Sequence, residues 1–339
     1  MTDLADAADA WPVLAALTEL RDWLSEGLSN CVTGEAKTPA LTEGGESTFN
    51  LQRPLLASAA AVPETLRIPP GALGTERRER PGTLELFFPG FQWNSVLVRL
   101  SVTEMMMFLM EQILTAGDLS SCAMVRLGAG WAPLVVRGDW WRLTMPIFLH
   151  GNFGHVLTNV IFQLRFGFKI EQLLGQSRFL FLYLASGTFG NLLSAALDPG
   201  KVAVGASTSA MGILGANTIR AILDEEGPAK QAVLISSILI LVAINLSPHA
   251  DVLGHVGGFV SGMLLTLCMK PGMDRRVRVV SAVPLGLATG GSVALLHWLG
   301  RHVDTAEALS NMDTVCPQLL SWLHHGAEVA TATVAYAKL

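Results

Sequence analysis

Residues 231–247 read QAVLISSILILVAINLS, seventeen positions without a charged side chain. A bilayer core about 30 Å thick takes roughly 20 apolar residues of helix, with about 17 at the short end, so the stretch reads as a membrane span. The rest of the chain agrees with it. Half of the 339 residues are hydrophobic and 15% are charged, with a mean hydropathy of +0.43, far from the balance of a water-soluble domain.

Working outward, six further stretches have the length and apolar content of spans. Toward the N-terminus lie 205–223, 178–197, 146–167 (PIFLHGNFGHVLTNVIFQLRFG, with two histidines and an asparagine) and 94–116 (WNSVLVRLSVTEMMMFLMEQILT, interrupted by Arg99 and Glu104). Toward the C-terminus lie 252–269 and 279–299. The expected fold is an all-α polytopic membrane bundle of six core transmembrane helices plus a seventh. It divides the chain into an N-terminal region 1–90, a membrane domain 91–300 and a C-terminal tail 301–339.

Cytoplasmic loops retain arginine and lysine. Arg77, Arg78 and Arg80 before span one, Arg165 and Lys169 after span two, Arg220 and Lys230 between spans four and five, and Lys270, Arg275, Arg276 and Arg278 after span six all fall on one side. That side is expected to be cytoplasmic and to hold the N-terminus. The other, with Arg126, Arg137, Arg142 and Lys201, is expected to be lumenal or extracellular.

Residues 1–90 begin with an acidic amphipathic stretch, MTDLADAADAWPVLAALTELRDWLSEGL, and continue into a segment rich in Gly, Pro, Ser, Thr and Glu through residue 82. The first reads as a surface or partner-binding helix, and as neither a signal nor a transit peptide. The second has too little apolar surface to order itself. Cys31, Cys122, Cys268 and Cys316 show no CxxC or metal-ligand spacing. Cys122 and Cys316 fall on the same expected side, where a bridge and two free thiols are equally open.

Polar side chains inside hydrocarbon are costly and face the bundle interior or a wet cavity. His150, His155 and Asn159, five and four residues apart, are expected on neighbouring faces of one helix. His255 stands in GHVGGFVSG of span six, and Ser207 opens span four within VGASTSAMGILGA (204–216). Taken singly, each has a structural reading of at least even weight, as an interhelical hydrogen bond or a small residue at a packing face. Their combination weighs against it. Gly254, Gly258 and Gly262 recur every four residues, and Gly205, Ser209, Gly212 and Ala216 form a similar small surface on span four. Two helices so lined can pack backbone to backbone, bringing Ser207 within reach of His255 as nucleophile and base. Asp251 is placed to cap span six.

The chain resembles the rhomboid intramembrane serine proteases. The resemblance rests on Gly205-Ala206-Ser207-Thr208 as GxSx, on HGNFGHVLTN as HxxxxHxxxN, on GHVGGFVSG, on Trp141-Arg142 within DWWRLTMPIFLH and on Glu171, Gly175 and Arg178 as ExxxGxxR, in the family's order. It implies a Ser207–His255 dyad, and an oxyanion hole from His155, Asn159 and the Ser207 backbone N–H. Supporting roles fall to His150, Gly205, Trp141 and Arg142. Thr208 departs from the glycine or alanine many members carry, so Ser209 competes with Ser207 for the nucleophile's place; gapless alignment favours Ser207. A seventh span suggests the six-plus-one arrangement of eukaryotic secretory-pathway members, and with it an endomembrane or plasma-membrane location. The Trp140-Trp141-Arg142 cluster also suits an interfacial anchor, and this reading weighs more than a supporting role for the loop.

The implied partners are transmembrane protein substrates and the lipid bilayer, with span five as a candidate gate. No cofactor, metal or nucleic acid is expected. Two rival readings carry less weight. A catalytically inactive rhomboid-like protein would bind membrane clients, yet both Ser207 and His255 are kept. A channel or transporter needs polar groups along a continuous path, whereas here they cluster toward one side. The charge bias predicts that tags placed at residues 1 and 339 report opposite faces of the membrane when probed by protease before and after permeabilisation. Both tags on one face would rule out the count of seven spans.

Overall fold

The computed structural model describes residues 83–247 and 250–302. The amphipathic N-terminal stretch and the segment up to residue 82, Cys31, Cys316, His249 and the tail from residue 303 lie outside the described residues. In chain order the helices are α1 (Thr83–Phe87), α2 (Val96–Leu114), α3 (Ser121–Leu127), α4 (Ala132–Val135), α5 (Phe153–Leu174), α6 (Gln176–Leu197), α7 (Ser207–Asp224), α8 (Gly227–Asn245), α9 (Val252–Met269) and α10 (Arg275–His302). Two 3₁₀ turns, Trp140–Leu143 and Met145–Phe148, lie between α4 and α5. The one isolated β-bridge among the described residues joins Gly130 to Ala203.

The seven long helices among the described residues correspond to the seven expected spans. Four of them, α6, α8, α9 and α10, are long and apolar enough to cross a membrane by length and composition. The helices α2, α5 and α7 also bury polar groups: Ser101, Glu104 and Glu111 on α2, Asn159 and Gln163 on α5, and Thr208, Ser209 and Asn217 on α7. Large apolar side chains face outward, with Met106 and Ile113 on α2 and Leu287 on α10 among the most exposed.

Capping sets where the helices begin. Ser95 accepts the Val98 N–H, and Glu171, from the far end of α5, accepts those of Val96 and Leu97 at 2.8 and 3.1 Å. A carboxylate thus satisfies two orphan donors at the start of α2, where the helix dipole favours it. Asp251 caps α9 through the Gly254 N–H at 3.0 Å.

Span two starts later than the sequence suggests. Pro146 sits in a 3₁₀ turn and Asn152 caps α5 by accepting the His155 N–H at 2.9 Å, so the helix begins at Phe153. His150 therefore precedes α5 and does not share its faces with His155 and Asn159.

Helix α9 packs between α6, α7 and α10, and its glycines let it do so. A Cβ on Gly258 would stand 2.1 Å from the Thr208 carbonyl oxygen, and one on Gly262 would stand 2.2 Å from that of Gly212. From the other side, a Cβ on Gly215 would meet the Phe259 carbonyl oxygen at 2.2 Å. The face α7 offers to α9 is thus Thr208, Gly212 and Gly215. Ser209 instead turns to α6, where its Oγ stands 2.1 Å from a Cβ built on Gly187.

A buried polar cluster joins α2, α5 and α6. Tyr183 Oη lies 2.5 Å from Glu104 Oε1 and 2.8 Å from Gln163 Oε1. Gln163 Nε2 donates to Glu104 Oε2 and Ser101 Oγ at 2.9 and 3.0 Å. In an apolar bundle each polar group needs such a partner.

Gly258→Ala and Gly262→Ala should each destabilise by at least the ~1–3 kcal/mol of an overpacked core, because the obstructing atoms belong to backbone. Gly286→Ala on α10, where a Cβ meets nothing within 4 Å, should be neutral or stabilising by up to ~1 kcal/mol. Thermal unfolding in mild detergent checks both. Loss of Gln163 by Gln163→Leu should cost about 1–2 kcal/mol, the scale of interhelical hydrogen bonds in membranes.

Candidate active site

Helix α7 starts at Ser207, with Ala206 as its cap residue and no side chain satisfying the first N–H groups. The approach to it is held from the loop between α2 and α5. Gly130 and Ala203 exchange both backbone hydrogen bonds, at 2.9 and 2.8 Å, and the Gly205 N–H donates to the Pro146 carbonyl at 2.8 Å. Gly205 has φ +119°, and a Cβ there would lie 2.6 Å from His155 Cε1 and 2.7 Å from His155 Nε2. Both the backbone conformation and the imidazole demand glycine at this position.

His255 lies in the first turn of α9, and its Nε2 is 2.9 Å from Ser207 Oγ. The imidazole is buried while Ser207 is half-buried. Ser207 opens onto a cavity of roughly 530 Å³ that His155, Asn159, Asn191, Lys201 and His255 also line. The Asn159 Nδ2 donor is buried there without a protein partner. Two routes of support converge on this end of the bundle. Asn191 Nδ2 donates to the Leu143 carbonyl at 2.8 Å, and Lys201 Nζ donates to the Ala250 carbonyl.

Ser207, His255, His155, Asn159 and Gly205 are thus brought together, while the remaining expected residues sit elsewhere. Ser209 is fully buried and away from the cavity. His150, also fully buried, accepts the Ala206 N–H on Nε2 at 3.4 Å, and its own N–H is held by the Glu111 carboxylate at 3.2 Å. It therefore touches the site through the Ala206 backbone and through its own ring, which meets that of His155 edge-on with centroids 5.3 Å apart.

Arg142 is buried. Its Nη1 donates to the carbonyls of Val125 and Ala129 at 2.7 and 3.3 Å, and its Nε pairs with Asp139 at 2.9 Å. Burial pulls the guanidinium below its ordinary pKa and Asp139 opposes the shift. The Trp141 ring stacks 4.6 Å from the guanidinium and fills the space beside Gly128. The exposed Trp140 suits the interfacial-anchor reading, whereas Arg142 is interior to the loop and the half-buried Trp141 packs on it.

Asn245, the last residue of α8, is the contact the sequence reasoning missed: its Oδ1 is 2.9 Å from His255 Nδ1. A lone asparagine at the end of an otherwise apolar span was the available signal. Cys122 is disulfide-bonded, and the buried Cys268 thiol donates to the Arg278 carbonyl at 3.5 Å.

A Rhomboid domain matches residues 137–272, which span the His155, Ser207 and His255 segments. The chain is 37% identical over 190 residues to Rhomboid-like protease 1 of Toxoplasma gondii, covering 53% of this chain and 65% of that protein. It is 30% identical over 185 residues to Rhomboid-like protease 3 of the same organism, covering 52% of this chain and 70% of that one. Rhomboid protease GluP of Bacillus subtilis is 32% identical over 202 residues, 57% of this chain and 39% of its own length. The chain therefore spans about two thirds of the first two relatives and less of the third. With the motif segments falling inside the matched domain of a helical membrane bundle, the chain belongs to the rhomboid family.

Proposed function

We propose that this chain is an active intramembrane serine endopeptidase with Ser207 as nucleophile and His255 as general base. The observation that carries the reading is the 2.9 Å contact between Ser207 Oγ and His255 Nε2, at a cavity that also holds an unpartnered amide donor, Asn159 Nδ2. It also argues against the inactive client-binding alternative, since a non-cutting relative has no need of a base aimed at a serine.

In the proposed reaction Ser207 Oγ attacks the scissile carbonyl carbon as its proton passes to His255 Nε2. The carbonyl oxygen becomes an oxyanion held by Asn159 Nδ2, His155 and the free N–H at the start of α7, where the helix dipole also favours negative charge. His255 returns the proton to the leaving amine. Water then attacks the acyl-enzyme with His255 again as base, and Ser207 is regenerated. His150, Trp141, Arg142 and Gly205 support this constellation through the backbone contacts that hold the start of α7.

The substrates are single-span membrane proteins cut near the lumenal or extracellular end of their span. Ser207 is the first residue of α7 and His255 lies about one turn into α9, so the chemistry is shallow in the bundle. A cavity of roughly 530 Å³ suits an unwound segment. Two turns of helix, about 10 Å across and about 11 Å long, need more space. Residues that weaken a helix near that boundary therefore favour cleavage. Helix α8 is the proposed gate, because Ser237 is its single buried residue. The N-terminus is cytoplasmic and the membrane is an endomembrane or the plasma membrane.

The deciding experiment is labelling by a serine-directed fluorophosphonate together with cleavage of a model transmembrane substrate. Ser207→Ala and His255→Ala should lose both, while Ser209→Ala keeps substantial activity. Cleavage that persists in folded Ser207→Ala sinks the assignment. Asn159→Ala should lower kcat by about 10²–10³, as expected for one oxyanion donor, with little change in KM.

A further inference from the structure

His255 has two ring nitrogens and only Nε2 faces Ser207. A neutral imidazole is a base toward Ser207 only if its hydrogen sits on Nδ1, so whatever holds Nδ1 selects the competent tautomer. Asp251, four residues earlier, is not that partner. Its Oδ1 accepts the Gly254 N–H and the Ser194 hydroxyl, at 3.0 and 2.8 Å. The group at Nδ1 is Asn245 Oδ1, 2.9 Å away.

The orientation of that amide is set by its other end. Asn245 Nδ2 donates to the Leu241 carbonyl at 2.8 Å, which leaves the carbonyl oxygen, and only an acceptor, toward the ring. Nδ1 must therefore carry the hydrogen and donate it, and Nε2 presents its lone pair to the Ser207 hydroxyl. Asn245 ends α8, the long helix with the least packing: Ser237 is its one buried residue, and Ile238 and Leu239 are more than 60% exposed. Ile244 and Ser247, flanking Asn245, line the same cavity.

We propose that Asn245 is a positioning residue that holds His255 in the Nδ1–H tautomer aimed at Ser207, and that it makes this state depend on α8 being seated against the bundle. Its catalytic consequence rests on the protease reading above; the tautomer does not. A displaced α8 takes the acceptor with it, leaving the imidazole free to rotate or change tautomer. Substrate entry past α8 and competence of the base are then one equilibrium, and the base becomes fit as the helix returns.

Spectra of protein carrying ¹⁵N-histidine, with His255 assigned by comparison with His255→Gln, read the tautomer directly. The wild type should show a protonated Nδ1 and an unprotonated Nε2. Ser207→Ala should keep that signature, and Asn245→Leu should lose it while retaining its thermal stability. Kinetically, Asn245→Leu should lower kcat and the rate of fluorophosphonate labelling about tenfold, the effect of losing one neutral hydrogen bond to the base, with KM unchanged. Asn245→Asp, which keeps an acceptor, should restore most of the rate. An Asn245→Leu protein that retains the Nδ1–H signature overturns the proposal, as does one whose rate falls through KM alone. A wild type that shows the Asn245-dependent signature yet neither cleaves nor labels would count against the protease reading and for the assignment of Asn245.

Discussion

The approach of α7 to α9 is the constraint on which the rest of the site depends. Where Gly258 lies against the Thr208 carbonyl and Gly262 against that of Gly212, the two backbones are in contact with no side chain between them. Such a contact has almost no compliance, because neither partner has a rotamer to change. Ser207 is next to Thr208 and His255 lies about one turn before Gly258, so their 2.9 Å separation is inherited from backbone packing. In lipid, where the tails are as apolar as any leucine, close packing of small residues is the main force that joins helices. The force that builds the bundle is thus also the one that aligns the pair.

The second anchor is the loop between α2 and α5. It has its own small core, with Met124, Val125, Ala129, Trp131 and Leu134 packed together, and Arg142 ties its turns through carbonyls. From that platform the Gly130–Ala203 bridge and the Pro146–Gly205 hydrogen bond fix the segment leading into Ser207. On its other flank the loop is held to α6 by Asn191 and by the Thr144–Thr188 hydroxyl pair at 3.0 Å.

The spans were legible in the sequence because their apolar length is dictated by the bilayer, and the α7–α9 contact because glycines recurring every four residues have few other uses in a membrane helix. Gly205 and Ser209 were assigned to that contact too broadly: Gly205 precedes α7 and lies against His155, and Ser209 turns to α6. Spacing places residues on a helix, but which neighbour each face meets depends on the third helix, here α6 with Gly187. His150 was misplaced because periodicity does not see a cap: Asn152 starts the helix two residues later, and Pro146 turns the chain before it. The buried state of Arg142, with the half-buried Trp141 packed on it, was hidden because aromatic and cationic residues at a span's edge look alike whether they meet headgroups or a loop interior. Asn245 escaped because it is ten residues from His255 and on another helix, and no pattern along one strand of sequence registers such a pair.

Helix α8 rests on its neighbours through so little surface that its position is set as much by what surrounds the molecule as by the chain itself. Acyl chains pressing on Ile238, Leu239 and Val242 supply part of the force that in α7 and α9 comes from protein alone. Lateral pressure, acyl length and the choice of detergent therefore act on this one helix as thermodynamic variables, while the α7–α9 pair is shielded from them. A preparation in micelles and one in a bilayer can share the same fold and still differ in how often the eighth helix is home.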